Sequence, residues 1–211
     1  MKNDEALYRE AIGKHEAALR LKSDDPETLN DSGGMLVELA RLKNDEGLYR
    51  EAIGKFEAAL RLKSNYPEAL NNWGNALVEL ARLKNDEALY REAIVKFEST
   101  LRLKPDYLQA LGGWGAALGE LARLKNDEAL YREAISKCQA GLQLKPDYPT
   151  SLRYWGRALA GLAGMKRDTA LYHEAIGKLG AALQARPDYK EALEDLGGAL
   201  IDLSNSKSTK F

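Results

Sequence analysis

The chain alternates between two patterns of apolar residues, and both have the spacing of an amphipathic helix. Between residues 67 and 84 the first pattern recurs at intervals of three and four: Leu70, Trp73, Leu77, Leu80. After a polar break, the second pattern follows: Leu89, Tyr90, Ala93, Ile94, Phe97, Leu101. Such spacing places apolar side chains on one helix face, whereas a strand pattern alternates residue by residue. No alternating stretch occurs, so the sequence predicts pairs of amphipathic helices.

The polar break between the two patterns carries residues that end one helix and begin the next. Either Asn85 or Asp86 is suited to accept hydrogen bonds from the free N–H groups of a helix start, with Glu87 in the first turn. Pro105 ends the second helix, because proline disfavours the helical conformation in the residue before it. We therefore expect a short turn within each pair.

The helix pair is repeated along the chain with a period of 41 residues. Tyrosines mark the period in the second helices: Tyr8, Tyr49, Tyr90, Tyr131, Tyr172. Glycines mark it in the first helices: Gly33, Gly74, Gly115, Gly156, Gly197. A period of this size is typical of stacked supersecondary units. Because glycine has no side chain, we expect these glycines to let the two helices of a pair approach closely.

The phase of the repeat predicts an all-α chain of about ten helices in one array over residues 1–211. The expected elements are a helix 3–22, pairs 26–63, 67–104, 108–145 and 149–186, a capping helix 189–204 and a polar tail 205–211. The array therefore opens on a second helix and closes on a first helix. We expect that last helix to cover the end of the stack.

The repeated unit resembles a tetratricopeptide (TPR) repeat. The segments "LNNWGNAL" (70–77) and "YREAIVKFESTLRLKP" (90–105) are similar to the two halves of the TPR motif. The unit of 41 residues is longer than the usual unit of about 34 and is closer to a TPR-like variety of about 42. About one extra turn on each helix accounts for the difference. The resemblance implies a right-handed α-solenoid of antiparallel helix pairs.

The resemblance also implies that the first helices line a concave groove that binds a partner. The residues that we take as candidate groove contacts are Asn30, Glu68, Asn71, Asn75, Glu79, Glu120, Arg153, Arg157. Further positions map to the groove in the later repeats: Gln109, Gly112, Ala116, Gly119, Thr150, Ala160, Gly161, Glu191, Glu194, Gly198, Ile201, Asp202. Arg153 and Arg157 lie one turn apart, which suits a fork that binds a carboxylate. The alternative is that they are solvated charges.

Charge and composition narrow the class of partner. The chain has 31 Lys and Arg against 32 Asp and Glu, a net charge of −1, whereas nucleic-acid binding selects for a basic face. No apolar stretch approaches the length of a membrane span, and the charged N-terminal segment lacks the apolar core of a signal peptide. We expect a cytoplasmic protein whose partner is a protein or peptide, with no membrane insertion.

The sequence offers little catalytic or metal-binding chemistry. Cys138 and His15 stand where Phe97 stands in its repeat, so we expect a buried thiol and an imidazole at the edge of the core. The Asp86–Glu87 pair recurs in nearly every unit, which indicates helix starts and not a catalytic pair. We expect no enzyme, no cofactor and no metal. The three tryptophans are expected in the core.

Two functions follow from this reading. The first is a protein–protein interaction scaffold or adaptor that takes a peptide or a helix in the concave groove. The second is self-association, in which copies of the repeat protein stack through the ends of the solenoid to form a homo-oligomer.

Overall fold

The computed structural model describes residues 2–21 and 24–208. The chain divides into two compact units, Met1–Pro105 (unit 1) and Asp106–Phe211 (unit 2). The helices of unit 1 are α1 Lys2–Leu21, α2 Pro26–Lys43, α3 Glu46–Leu62, α4 Pro67–Lys84 and α5 Glu87–Leu103. Those of unit 2 are α6 Leu108–Lys125, α7 Glu128–Leu144, α8 Pro149–Lys166, α9 Thr169–Ala185 and α10 Lys190–Ser208. The described residues contain no strand, so the predicted all-α class is confirmed.

The turn inside each pair is built from a left-handed residue followed by an aspartate. Asn85 has φ 54° and ends α4, and the carboxylate of Asp86 accepts hydrogen bonds from the N–H groups of Ala88 (2.8 Å) and Leu89 (3.3 Å). Asn85 therefore ends the first helix, and Asp86 is the N-cap of the second. The sequence alone had allowed either residue to be that N-cap. The other aspartates that cap second helices are Asp45, Asp127 and Asp168.

The last helix is longer than predicted. Residues 205–208 were expected in a polar tail, but α10 continues to Ser208. No proline or glycine interrupts "SNSKS", and the Ser206 hydroxyl donates a hydrogen bond to the Leu203 carbonyl at 2.7 Å. The Ser206 hydroxyl thus finds a hydrogen-bond acceptor in the preceding helical turn, so this serine is accommodated in a helix although the polar composition of the segment predicted a tail. Residue 22 and residues 209–211 of the predicted elements lie outside the described part, and a single array over 1–211 stays a prediction.

In unit 1 the first and second helices of each pair pack through the repeated glycine. Helix α2 packs on α3 and α4 on α5, while α1 packs on α2 and α3 on α4. A Cβ atom added at Gly33 would lie 2.6 Å from the ring of Phe56, and one at Gly74 would lie 2.7 Å from the ring of Phe97. Both rings are buried, so the predicted close approach at these two glycines is confirmed.

Unit 2 repeats this packing with smaller partners, and its last glycine differs. A Cβ atom at Gly115 would lie 2.6 Å from Cys138 Sγ, and one at Gly156 would lie 2.6 Å from Leu179 Cγ. Nothing lies within 4 Å of a Cβ atom built at Gly197. The expectation of a packing role for Gly197 is therefore wrong for this structure, because α10 has no second helix after it among the described residues.

The three tryptophans lie at the edge of the core and not inside it. Each is half-buried, and the ammonium group of a lysine from the second helix of the same pair lies over each ring. The distances from Nζ to the ring centre are 3.5 Å for Lys96 over Trp73, 3.8 Å for Lys137 over Trp114 and 3.8 Å for Lys178 over Trp155. Aromatic rings at such distances attract cations through their electron-rich faces. The lysine stems thus cover the tryptophans from solvent.

Candidate functional site

The three first helices of unit 2, α6, α8 and α10, line a cavity of about 590 Å³. The cavity includes residues from predicted groove positions on all three helices: Ala116, Gly119, Glu120, Arg157, Ala160, Gly161, Glu194, Gly198, Asp202. Tyr131 of α7 and Tyr172 of α9 complete the lining from the second helices. We call this space the unit 2 cavity. Its volume falls in the range of about 300–1,000 Å³ that is usual for ligand pockets.

Ion pairs tie the three helices of the unit 2 cavity together. The Arg157 Nη2 atom lies 2.6 Å from Glu120 Oε1 on α6, and its Nε atom lies 3.4 Å from Asp195 Oδ1 on α10. The same Asp195 accepts a hydrogen bond from Arg153 Nε at 2.6 Å. Sequence reasoning had offered Arg153 and Arg157 as a fork for a carboxylate of the ligand. In the structure their carboxylates come from the chain itself.

Two tyrosines reach the cavity because α8 has glycines where they pack. A Cβ atom at Gly161 would lie 2.5 Å from the ring of Tyr131, and one at Gly164 would lie 3.1 Å from the hydroxyl of Tyr172. Burial raises the pKa of both phenols above the ordinary value, and the nearby Asp202 carboxylate raises the pKa of Tyr172 further. Both side chains are therefore neutral hydrogen-bonding groups at physiological pH.

The glycines of α8 replace an ion pair that the three preceding first helices share. Glutamate and arginine three residues apart form the pairs Glu38–Arg41 (2.8 Å), Glu79–Arg82 (2.8 Å) and Glu120–Arg123 (3.2 Å). The equivalent positions of α8 are Gly161 and Gly164. Two long charged side chains are thus missing from α8 at the centre of unit 2, which leaves space for the unit 2 cavity.

In unit 1 the candidate residues Asn30 and Asn71 are buried in an amide network. The Asn72 Nδ2 atom donates a hydrogen bond to Asn30 Oδ1 at 3.0 Å, which links α2 to α4. Asn30 in turn donates to Asp31 at 3.3 Å, and Asn71 donates to Asn72 at 3.4 Å. Only 7% of Asn30 and 4% of Asn71 is exposed. The Asn30 side chain therefore helps to hold α2 against α4, and both asparagines present little surface to a partner.

The remaining candidates of unit 1 are more accessible. Glu68 and Asn75 are half-buried and make no hydrogen bond or ion pair with another described residue. Glu79 is held by Arg82 at 2.8 Å, with Arg41 of the neighbouring first helix 3.7 Å away. Of the five candidates in this unit, Glu68 and Asn75 are thus the two whose polar groups remain available.

Sequence reasoning missed Asp195, Tyr131 and Tyr172 as residues of the site. Asp195 follows Arg153 by 42 residues, the same separation as the Asn72–Asn30 bond, so such pairs mark contacts between neighbouring first helices. The tyrosines were assigned to the second-helix core because they recur in every repeat. One sequence feature could have revealed the two tyrosines. In the α8 repeat alone, Gly161 and Gly164 replace the Glu and Arg of the preceding first helices.

Other reactive groups give no alternative site. Cys138 is buried, and burial raises the pKa of its thiol to about 12, as expected for an inert core cysteine. His15 is half-buried and His173 is exposed. Across residues 2–21 and 24–208, no group of His, Cys, Asp and Glu side chains has the arrangement of a metal site. In the same part of the chain, no helix is both long and apolar enough to cross a bilayer.

Comparison with solved structures identifies the fold. YrrB, a TPR protein described as having an unusual peptide-binding site, superposes with a TM-score of 0.55 at 21% identity, over 90% of this chain and 83% of YrrB. MamA gives a TM-score of 0.54 at 17% identity, over 90% of this chain and 97% of MamA. TTC0263, a TPR protein of Thermus thermophilus, gives 0.50 at 19% identity, over 84% of this chain and all of the other.

Sequence comparison adds a partial match. Residues 64–145 match the family model described as the plant-specific mitochondrial import receptor subunit TOM20, which covers less than half of the chain. Curated protein sequences give no match. The superpositions confirm the resemblance that the repeated motif predicted: this chain has the all-helical repeat fold of TPR proteins.

Proposed function

We propose that this protein is an interaction scaffold that binds a peptide or helix of another protein along its first helices. The observation that carries the proposal is the unit 2 cavity, which opens among α6, α8 and α10 at predicted groove positions. TPR-fold neighbours support a scaffold in general, and YrrB is described as binding a peptide.

The make-up of the cavity suits recognition of a polypeptide. It combines tyrosine rings, which provide rigid contact area with a polar end, and bare helix backbone at Gly198. The ion pairs of Arg157 fix the neighbouring helices before a partner arrives, so little ordering is required on binding. A preorganised, mixed polar and apolar hollow is typical of peptide sites.

Two glycine substitutions test where a partner binds. Gly198 lines the unit 2 cavity and Gly177 lies outside it on α9, and a Cβ atom built at either meets nothing within 4 Å. A first side-chain atom thus has room at both sites, so we expect Gly198→Trp to place its ring at the unit 2 cavity, and Gly177→Trp is its matched control. With a peptide selected from a displayed library, we expect Gly198→Trp to abolish binding and Gly177→Trp to retain it. Equal binding by both variants would place the site elsewhere.

The second candidate function is self-association through α1 and α10. Leu193 and Leu200 of α10 are 61% and 49% exposed, whereas the equivalent Leu152 and Leu159 of α8 are 8% and 3% exposed under their second helix. On α1, Leu7 is 61% exposed. Helix α1 has the sequence of a second helix, so α1 of one copy is the kind of partner that the open face of α10 fits.

Light scattering across a concentration series tests self-association. We expect the mass to rise above 23.4 kDa with concentration and to fall back in Leu193→Glu/Leu200→Glu. Leu144→Glu, at a leucine that is 51% exposed on α7, is the control and should leave association unchanged. A mass that stays at one chain throughout would exclude this function.

A further inference from the structure

Carboxylates outnumber guanidinium groups in the unit 2 cavity. Its acidic residues are Glu120, Glu194, Asp195, Asp202, against the basic residues Arg123, Arg157. The excess is not spread evenly, because the two arginines lie on the side of the cavity formed by α6 and α8. The acidic excess lies on α10.

Two of the four carboxylates, Glu120 on α6 and Asp195 on α10, are already neutralised by arginines. Glu120 forms ion pairs with Arg157 at 2.6 Å and with Arg123 at 3.2 Å. Asp195 forms ion pairs with Arg153 at 2.6 Å and with Arg157 at 3.4 Å. Each of these two carboxylates therefore has two guanidinium partners. A carboxylate of a ligand would find no unpaired cation here, so the cavity does not suit an acidic peptide.

The carboxylates of Glu194 and Asp202 have no such partner. Both are exposed to the cavity and neither makes an ion pair or hydrogen bond with another residue of the described chain. They lie eight residues apart on α10, about 12 Å along the helix axis. A cavity wall with unpaired carboxylates and low-dielectric neighbours concentrates cations.

An aromatic ring stands next to one of these unpaired carboxylates. Asp202 is close enough to Tyr172 to raise the pKa of its phenol, whereas Tyr131 lies on the arginine side of the cavity. A tyrosine ring attracts a cation at its face and packs against methylene groups along its edge. This combination suits a cation that is carried on an aliphatic stem.

We propose that the unit 2 cavity takes an arginine or lysine side chain of a partner peptide, with Asp202 as its direct counter-ion, Glu194 adding to the negative potential and the ring of Tyr172 beside its stem. The inference rests on the proposed function, that a peptide binds along the first helices, and it names the chemistry of that peptide. The guanidinium or ammonium group is recognised by charge-assisted hydrogen bonds to carboxylates. Acidic segments are repelled.

Four peptide pools test the inference directly. The pools are heptapeptides capped at both ends, with randomised flanks and a fixed central residue: arginine, lysine, citrulline or glutamate. Citrulline keeps the shape of arginine without its charge. We expect the arginine and lysine pools to bind about tenfold more tightly than the citrulline pool, as one partly buried charge pair allows, and the preference to weaken at high salt. Comparing the two basic pools distinguishes guanidinium from ammonium.

Paired variants assign the preference to the two carboxylates. Glu194→Gln/Asp202→Asn removes both charges without changing the size of either side chain, and we expect it to bind all pools alike. Glu174→Gln, at an exposed glutamate of α9 outside the cavity, is the control and should keep the tenfold preference. The inference is overturned if the glutamate pool binds as tightly as the arginine pool, or if the preference survives in the double variant.

The pools also separate this inference from the proposed function. If all four pools bind equally and Gly198→Trp abolishes that binding, peptide binding in the unit 2 cavity stands and the inference about charge is rejected. If no pool binds to the unsubstituted protein, the proposed site and the inference are rejected together.

Discussion

The repeated glycine provides the sharpest stability test, because the same substitution should have opposite effects at two equivalent positions. Gly156 of α8 and Gly197 of α10 are one repeat apart in the sequence. A methyl group at Gly156 would lie 2.6 Å from Leu179 Cγ and 3.1 Å from the carbonyl oxygen of Ala175, whereas one at Gly197 meets nothing within 4 Å. We compare Gly156→Ala with Gly197→Ala.

The expected magnitudes follow from helix propensity and packing. Alanine is favoured over glycine inside a helix by about 1 kcal/mol, so Gly197→Ala should raise the free energy of unfolding by roughly 0.5–1 kcal/mol. At Gly156 the same gain is opposed by overpacking, which costs about 1–3 kcal/mol in a well-packed core. Leu179 is fully buried and the Ala175 oxygen belongs to the backbone, so neither can yield easily. We therefore expect Gly156→Ala to lose about 1–2 kcal/mol.

Thermal unfolding followed by circular dichroism measures the difference. For a chain of this size, the two variants should melt roughly 3–12 °C apart, with Gly197→Ala above the unsubstituted protein and Gly156→Ala below it. In a Leu179→Ala background the contact with Leu179 is gone and only the Ala175 oxygen remains close, so Gly156→Ala should then cost much less stability than it does in the unsubstituted protein. The reasoning is refuted if Gly156→Ala raises the melting temperature as much as Gly197→Ala does.

Three further predictions follow from single groups. Cys138 should resist iodoacetamide at about pH 8 in the folded protein and react after unfolding, since its thiol is buried with a pKa of about 12; labelling detected by mass spectrometry checks this. Burial raises the pKa of Tyr49 from 10.0 to about 12, so its contribution to stability is present below pH 10 and is lost as the pH rises towards 12. Denaturant titrations of the protein and of Tyr49→Phe should show a shallower decline for the variant. Asp86→Ala should cost about 1 kcal/mol in the same titrations, because the caps to Ala88 and Leu89 are lost, while Asp86→Asn should keep most of that stability.

The placement of helices was readable from sequence because it depends on local chemistry. Spacings of three and four, an aspartate at each second-helix start and a proline after Lys104 act within one or two turns. The close approach of two helices at the repeated glycine was also readable, since the glycine recurs every 41 residues, but the side chain that packs against it was not. The open choice between Asn85 and Asp86 was resolved only by backbone geometry, where Asn85 adopts φ 54°.

The candidate site was only partly readable, because its contacts join separate helices. The sequence placed Glu120 and Arg157 at groove positions, but it did not show that they bind each other across α6 and α8 at 2.6 Å. It offered Arg153 to a ligand, whereas Asp195 of α10 holds it. Asn30 and Asn71 matched groove positions, yet the amide network between α2 and α4 buries both.

By itself the sequence determined the all-helical class, the period of 41 residues and where each pair of helices turns, because these follow from the spacing of apolar residues and from polar breaks along the chain. Only the tertiary structure decided which charges are neutralised and where space remains. Those outcomes depend on how far each first helix is rotated and shifted against the next, and small changes of that kind move a side chain between pairing and solvent. Gly161 shows this: it is one glycine among many in the sequence, and in the fold it admits Tyr131 and helps leave the unit 2 cavity open.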